Sequence, residues 1–451
     1  MAKSTQKGIT KAREPLFHIV KRPTIPMWKS WMIRAIAILA AFLVCGIITF
    51  LLVQRNPLDM YVAMFRGSFG SSRKIWKLVK DIAILLCISL AVTPAFRMKF
   101  WNIGAEGQVL VGCLATTACL FYLGGKVPDW CLIFLMLVTA LIAGAAWGVI
   151  PARFKAKWKT NETLFTLMMN YVATYLVAFF LLTWTPDGSS TLGRIEGVGM
   201  LPVLFGNAYV LIILVVALLT IAMYVYLNYT KQGYEISVVG ESENTARYIG
   251  ISVPKVIIRT MILSGALCGL AGFLIVGGLD RTITTESAGG QGFTAIMVSW
   301  LAKFDPAVMV LTSFLLIFLD QGAAQVAQDF NMSDAFPSII TGIILFFIIG
   351  CEFFINYKVV FRNSGSVKYP TIIKVFIIIG MIVGAPLVYP VILGAMTLSK
   401  MDDVKDDVEI TTTWRIIVLL FVSLVGGILL LCMKPKQINA KNNATKKEEK
   451  A

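Results

Sequence analysis

The chain has 451 residues, 57% of them hydrophobic and 15% charged, with a mean hydropathy of +0.77. Soluble domains run at about 45–50% apolar and about 25% charged, so soluble, fibrous and disordered classes are excluded and an all-α, polytopic membrane protein is predicted. Lys and Arg number 41 against 25 Asp and Glu, a formal charge of +16, which in a membrane protein reports topology before it reports a partner.

Residues 1–31 form a basic tail, and the first apolar run long enough to cross a bilayer follows at 32–53. More than thirty residues precede that run and no small-residue cleavage site follows it, so it reads as a retained span. The positive-inside rule places the tail in the cytoplasm. Further spans are predicted at 79–96, 103–124, 131–150, 163–184, 208–229, 257–278, 337–357, 371–396 and 415–433. The stretch 292–322 has apolar runs on both sides of Lys303-Phe304-Asp305-Pro306 and fits either one broken or re-entrant element or two short spans. The count is therefore ten, or twelve.

Alternation from a cytoplasmic start puts Arg153, Lys155, Lys157 and Lys159 inside, then Lys358, Arg362 and Lys368, then the Lys-rich tail 434–451. The acidic loop 399–414 falls outside. Residues 54–78 dissent, being external yet basic, and read as a surface-lying amphipathic helix. This topology accounts for most of the positive charge, so no nucleic-acid partner is expected.

Polar residues at membrane depth mark a path or hold helices together. Asn102, Glu106 and Gln108 occur where Gly104 and Gly107 permit a helix break, and both a cargo pathway and a tight cytoplasmic turn fit them. Thr163, Thr166 and Asn170 share one helix face, suited to lining a pore or to bonding across helices. The Gly-rich stretch from Gly277 through Gln291 and Gly292 is external and fits a re-entrant loop, a docking site or a mobile loop. Gly265, Gly269 and Gly272, and Ala140, Gly144 and Gly148, form small-residue stripes that let helices approach closely.

Residues 230–256 make the one hydrophilic cytoplasmic loop with its own structure. Ser242 or Asn244 suits an N-cap, Thr245 to Ile249 a helix body and Gly250 a stop. Glu241, Glu243 and Arg247 would lie on top, with Tyr248, Ile249 and Ile251 beneath. A docking helix for a soluble partner and a surface connector both fit.

Eight cysteines sit singly in apolar runs without a C-x-x-C pair, and His18 is the one histidine. No metal site, no catalytic residue and no cofactor in this chain are expected.

Phe100 to Gln108 resembles the signature of permease subunits of bacterial ABC importers for nucleosides and simple sugars, within the ribose and branched-chain amino acid permease superfamily. Gly233-Tyr234-Glu235 running into Val238 to Ser242, with Ala246 and Tyr248 to Ile251, looks like that family's coupling segment, and Gly290 to Ile296 matches a third pattern. The three occur in the family's order within residues 50–355. The resemblance implies a permease domain over 32–357 with a coupling loop at 230–256, and two additional C-terminal spans over 358–433. It implies ATPase docking through Gly240, Glu241, Ala246, Arg247, Gly250 and Ile251. It also implies a second permease subunit and a substrate-binding lipoprotein in a bacterial plasma membrane, both termini cytoplasmic. Asn102, Glu106, Gln108, Thr163, Thr166, Asn170 and Gln291 are the candidate substrate pathway. No G-x-x-x-x-G-K-[ST] phosphate loop occurs, so ATP and Mg belong to the partner ATPase. Ser299, Trp300 and Lys303 depart from the small apolar residues expected after Gly290.

The expected function is nucleoside import by alternating access, the alternative being simple-sugar import. An ion-coupled carrier would have Glu106, Glu162 and Asp320 as its candidate carboxylates, and a lipid-linked transferase would have to use Asp402 to Glu409 on the wrong side.

Overall fold

The computed structural model describes residues 17–22, 26–54, 56–185, 192–333 and 335–361. Two units divide the chain, Pro26–Phe354 and the two end segments together. The described part of the end unit is an antiparallel pair, β1 (Phe17–Lys21) with β2 (Tyr357–Phe361), Phe17 opposite Phe361. The sequence reading places no strand there, since neither Phe17–Lys21 nor Tyr357–Phe361 alternates strictly between apolar and polar residues.

The larger unit is built from helices. α1 (Met27–Val53) stops at Gln54 in the left-handed region, and α2 (Pro57–Phe69) starts directly after it. Asn56 caps α2 by accepting from the Leu58 N–H at 3.0 Å, and Pro57 is preset for a first helical position. The basic stretch 54–78 thus divides between α2 and the start of α3 (Ser72–Arg97). Rather than lying on a surface by itself, α2 buries Met60, Ala63 and Met64 in a cluster shared with α1 and with the later helices near 320 and 340.

α4 (Ala105–Leu123), α5 (Asp129–Trp158), α6 (Glu162–Trp184) and α7 (Val210–Tyr229) follow as long apolar helices. A short pair comes next, α8 (Lys231–Glu241) and α9 (Glu243–Tyr248). α10 (Val253–Ile275) then runs into a π-helical turn at Val276–Asp280. Arg281, 2% exposed, ends that turn and ties down the segment between α6 and α7 by donating to the carbonyls of Ile195, at 2.7 Å, and Val198.

The ambiguous stretch 292–322 resolves into α11 (Gln291–Leu301) and α12 (Pro306–Asp329). Lys303 and Phe304 both have positive φ, and Asp305 caps α12 by accepting from the Ala307 N–H at 2.9 Å. At eleven residues, about 16 Å, α11 is too short to cross a bilayer. α13 (Phe336–Asn356) completes the unit.

Eight helices among the described residues are long and apolar enough to span a membrane: α1, α4, α5, α6, α7, α10, α12 and α13. The run expected at 79–96 lies inside α3, whose first turns carry Arg73, Lys74, Lys77, Lys80 and Asp81. The runs expected at 371–396 and 415–433, and the loop and tail beside them, lie outside the described residues.

α10 packs against α3, α4 and α5. Its glycines decide how closely: a Cβ on Gly265 would overlap the Gly144 carbonyl, and one on Gly269 the Ala140 carbonyl. On α4, a Cβ at Gly112 would stand 2.7 Å from the Gly269 Cα. The two small-residue stripes read from the sequence are therefore each other's partners, packed backbone against backbone.

Candidate transport and coupling site

The start of α4 leaves several backbone N–H groups without helical partners, in a segment packed among buried side chains. Side chains serve them instead. Asn102 Oδ1 accepts from the Gly104 N–H at 3.1 Å, and its amide pairs face to face with that of Gln108 at 3.3 and 3.4 Å. Asn102 Nδ2 also donates to Ser264 Oγ of α10 at 3.3 Å. From the other side α6 reaches in. Thr166 Oγ1 accepts from the Ile103 N–H at 3.2 Å, while Asn170 accepts from the Gly107 N–H and donates to the Ile103 carbonyl, both at 2.9 Å. All four side chains are buried.

Glu106 points elsewhere. Its two carboxylate oxygens accept from the N–H groups of Gly290, at 2.8 Å, and Gly292, at 2.7 Å, at the start of α11. A carboxylate on a helix N-terminus is favoured by the free N–H groups and by the helix dipole together. A Cβ at Gly292 would overlap the Glu106 backbone N, and Gly290 has φ 72°. Two Gly-containing motifs 184 residues apart therefore fit as one joint. Gln291, between the two glycines, is half-buried, and its Oε1 is buried without a hydrogen-bond partner among the described residues. Asn102, Glu106, Gln108, Thr166, Asn170 and Gln291 are brought together in this way. Thr163 is not: it is half-buried one turn away, and only its carbonyl takes part, accepting from Thr166 Oγ1 at 3.2 Å.

The departures after Gly290 have places as well. Ser299 donates to the Ser89 carbonyl at 3.0 Å, joining α11 to α3, and the Trp300 ring lies 5.3 Å from Trp101 between centroids.

The second half of the site is the α8–α9 pair. Thr230 caps α8, accepting from the Gly233 N–H at 3.1 Å, and Ser242 caps α9, accepting from the Thr245 N–H at 3.3 Å. Gly240 presses on the Arg97 carbonyl so closely that a Cβ would overlap it. Ala246 is fully buried in a cluster with Ile236, Val239, Val253, Met98 and Phe100. α9 ends in a paired turn: the Ile251 N–H reaches the Ala246 carbonyl at 2.9 Å, the Gly250 N–H reaches that of Arg247 at 3.1 Å, and Gly250 has φ 86°. Glu241 and Arg247 are exposed, and Arg247 pairs with Glu243 at 3.3 Å. Tyr248 and Ile249 are not beneath the helix, as the sequence reading places them, but exposed at 92% and 51%. Six residues give too few turns to fix a face, and small Ala246 takes the buried one.

Sequence reasoning passed over one polar region, between α3 and α12. Lys74 Nζ donates to Gln325 Oε1 at 2.7 Å, Gln325 Nε2 to Asp329 at 2.6 Å and Gln321 Nε2 to Asp81 at 2.8 Å, and Lys80 pairs with Asp81 at 2.8 Å. The signal was present in the i, i+4, i+7, i+11 spacing of Phe314, Phe318, Gln321 and Gln325, which shares one helix face.

A broken helix start locked to a half-length helix, with a capped helical pair packed under the same segment, is a discontinuous-helix arrangement of the kind membrane transport proteins use. Residues 75–349 match the family described as the permease component of the branched-chain amino acid transport system, and the chain belongs to that family. It is similar to the glucose ABC transporter permease protein TsgB13 of Haloferax volcanii, 29% identical over 75% of this chain and 92% of the relative. The guanosine ABC transporter permease protein NupP of Bacillus subtilis is 30% identical over 68% of this chain and 89% of its own length. The nucleoside ABC transporter permease protein NupB of Lactococcus lactis is 27% identical over 70% and 90%. The chain is a multi-pass membrane transport subunit.

Proposed function

We propose that the chain is the permease subunit of an ATP-driven nucleoside importer. The observation that carries this reading is the seat of α8–α9: Gly240 rests on the Arg97 carbonyl, and Met98 and Phe100 share a core with Ala246. Asn102 follows two residues after Phe100, and Glu106 four residues further on holds α11. A pull on α8–α9 by a partner ATPase is thereby delivered to the joint between α4 and α11, the proposed alternating-access element. ATP and Mg stay with that ATPase.

The cargo rests on two relatives named for guanosine and nucleoside transport. A simple-sugar cargo has one specific support, the relative named for glucose. Asn102, Glu106, Gln108, Thr163, Thr166, Asn170 and Gln291 are proposed as the pathway region. Within it the hydrogen bonds assign Asn102, Gln108, Thr166 and Asn170 to shaping the backbone. A second permease subunit and an extracellular substrate-binding lipoprotein complete the proposed assembly. The α8–α9 pair shares one end of the molecule with Lys155 and its ion-pair partner Glu162, which supports a cytoplasmic placement of that end; the N- and C-terminal tails are proposed on the same side.

Uptake of labelled guanosine, adenosine, uridine and ribose, with and without ATP depletion at clamped membrane potential, tests the reading. Nucleoside uptake lost on ATP depletion is expected, and Arg247→Glu with Gly250→Pro abolishes it while the protein stays inserted. Uptake that follows the ion gradient overturns it.

A further inference from the structure

The middle turns of α12, a helix long and apolar enough to span a membrane, carry a strip that lipid does not suit. Phe314 lies eight residues from its first residue and Gln321 eight from its last, about 12 Å from either end. Asp320 beside them is exposed, and Asp81 and Lys77 of α3 act on it electrostatically. An exposed carboxylate midway along such a helix faces water or protein, because hydrocarbon solvates it too poorly.

The strip has two chemical halves. Toward the middle of α12 stands an aromatic shelf made by Phe314 and Phe318, near-parallel at 17° with centroids 6.1 Å apart, flanked by Phe69, tilted at 6.0 Å, and Phe65, edge-on at 5.4 Å. Phe65, Phe69 and Phe314 are exposed at 61%, 43% and 37%, and Phe65 and Phe69 line an open groove. One turn further along the same face comes a hydrogen-bonding half, with Gln321 on Asp81 and Lys80 paired to Asp81. Its amide and carboxylate groups offer donors and acceptors, with the Lys80 charge taken up by Asp81. Such a set suits uncharged hydroxyls better than an ion.

We propose that the α2–α3–α12 face is a cargo-contact site for a nucleoside, the base lying on the Phe314–Phe318 shelf beside Phe65 and Phe69 and the ribose hydroxyls meeting Gln321, Asp81 and Lys77. The proposal rests on the nucleoside reading above and adds where and how the molecule is held. A planar base stacks on aromatic rings whatever its substituents, so the shelf accepts several nucleosides, and the polar half demands a sugar.

The test uses the complete importer in membranes and has two separate arms. In the first, unmodified importer is assayed for ATP-dependent uptake of guanosine and ribose; absence of nucleoside uptake defeats the nucleoside reading itself. In the second, 8-azidoguanosine is photo-crosslinked to the importer and the labelled peptides are mapped. Label within 57–81 or 306–329, competed by excess guanosine, is expected, and competable label confined to other segments overturns the site. Phe318→Leu and Gln321→Leu should each lower guanosine uptake kcat/KM about tenfold at unchanged membrane level, with Phe318→Tyr close to the parent. Both Leu variants matching the parent would show a wall that faces lipid or a neighbouring subunit, and would overturn the proposal.

Discussion

Around the start of α4, Asn102, Gln108, Thr166 and Asn170 spend their hydrogen bonds on one another and on nearby backbone, whereas on the middle turns of α12 the carboxylate of Asp320 stands exposed. Both regions place polar atoms on or beside helices long and apolar enough to span a membrane. The first is closed, and its polar atoms replace the water that a broken helix would otherwise need. The second is open, and its polarity persists only where something other than lipid lies against it. Accessibility separates the two: the polar groups at the start of α4 are buried, and Asp320 is not.

The comparison breaks first at Asn170. Asn170→Leu strands the Gly107 N–H and the Ile103 carbonyl together, and a loss of about 2–6 kcal/mol is expected from two orphaned groups, read as reduced folded yield and a lower Tm in detergent. A Tm equal to the parent would show that the segment around Ile103 finds other partners. Glu106→Gln comes next. The amide keeps one acceptor oxygen but sets an NH2 against a backbone N–H, and a cost of about 1.5–3 kcal/mol is expected, measured by thermal unfolding alongside hydrogen exchange at Gly290 and Gly292. Protection there unchanged from the parent would remove Glu106 as the clamp on α11. The smallest effect on stability belongs to the open face: Asp320→Asn should stay within about 0.5 kcal/mol of the parent and alter uptake alone. A large fall in Tm would move Asp320 into the closed class.

Much of the helical plan was legible because its signals are local. Ser242, one of the two caps the spacing allows, the Gly250 stop and the small-residue stripes on α5 and α10 follow from short-range spacing, and the structure has all three; that the two stripes face each other is settled by packing. The contact of Glu106 with Gly290 was not legible, since nothing in either motif names its partner across 184 residues. α8 was missed as a helix because its apolar residues are few and its Thr230 cap lies directly after an apolar span. The split between α11 and α12 hinged on Lys303 and Phe304 adopting positive φ, which their residue types do not announce. The α3–α12 polar face escaped because the spacing on α12 does not name the partner that Lys74, Lys80 and Asp81 supply from α3.

The glycine contacts of α10 also restrict how this protein can move. With Gly265 and Gly269 fitted to the carbonyls of Gly144 and Ala140, and Gly112 fitted from the opposite side, a slide of one residue, about 1.5 Å, would drive a side chain into backbone on two faces at once. α4, α5 and α10 are geared together. Under the proposed coupling, a displacement arriving from α8–α9 would turn them as one lever and leave the bending to the half-length helix at its end.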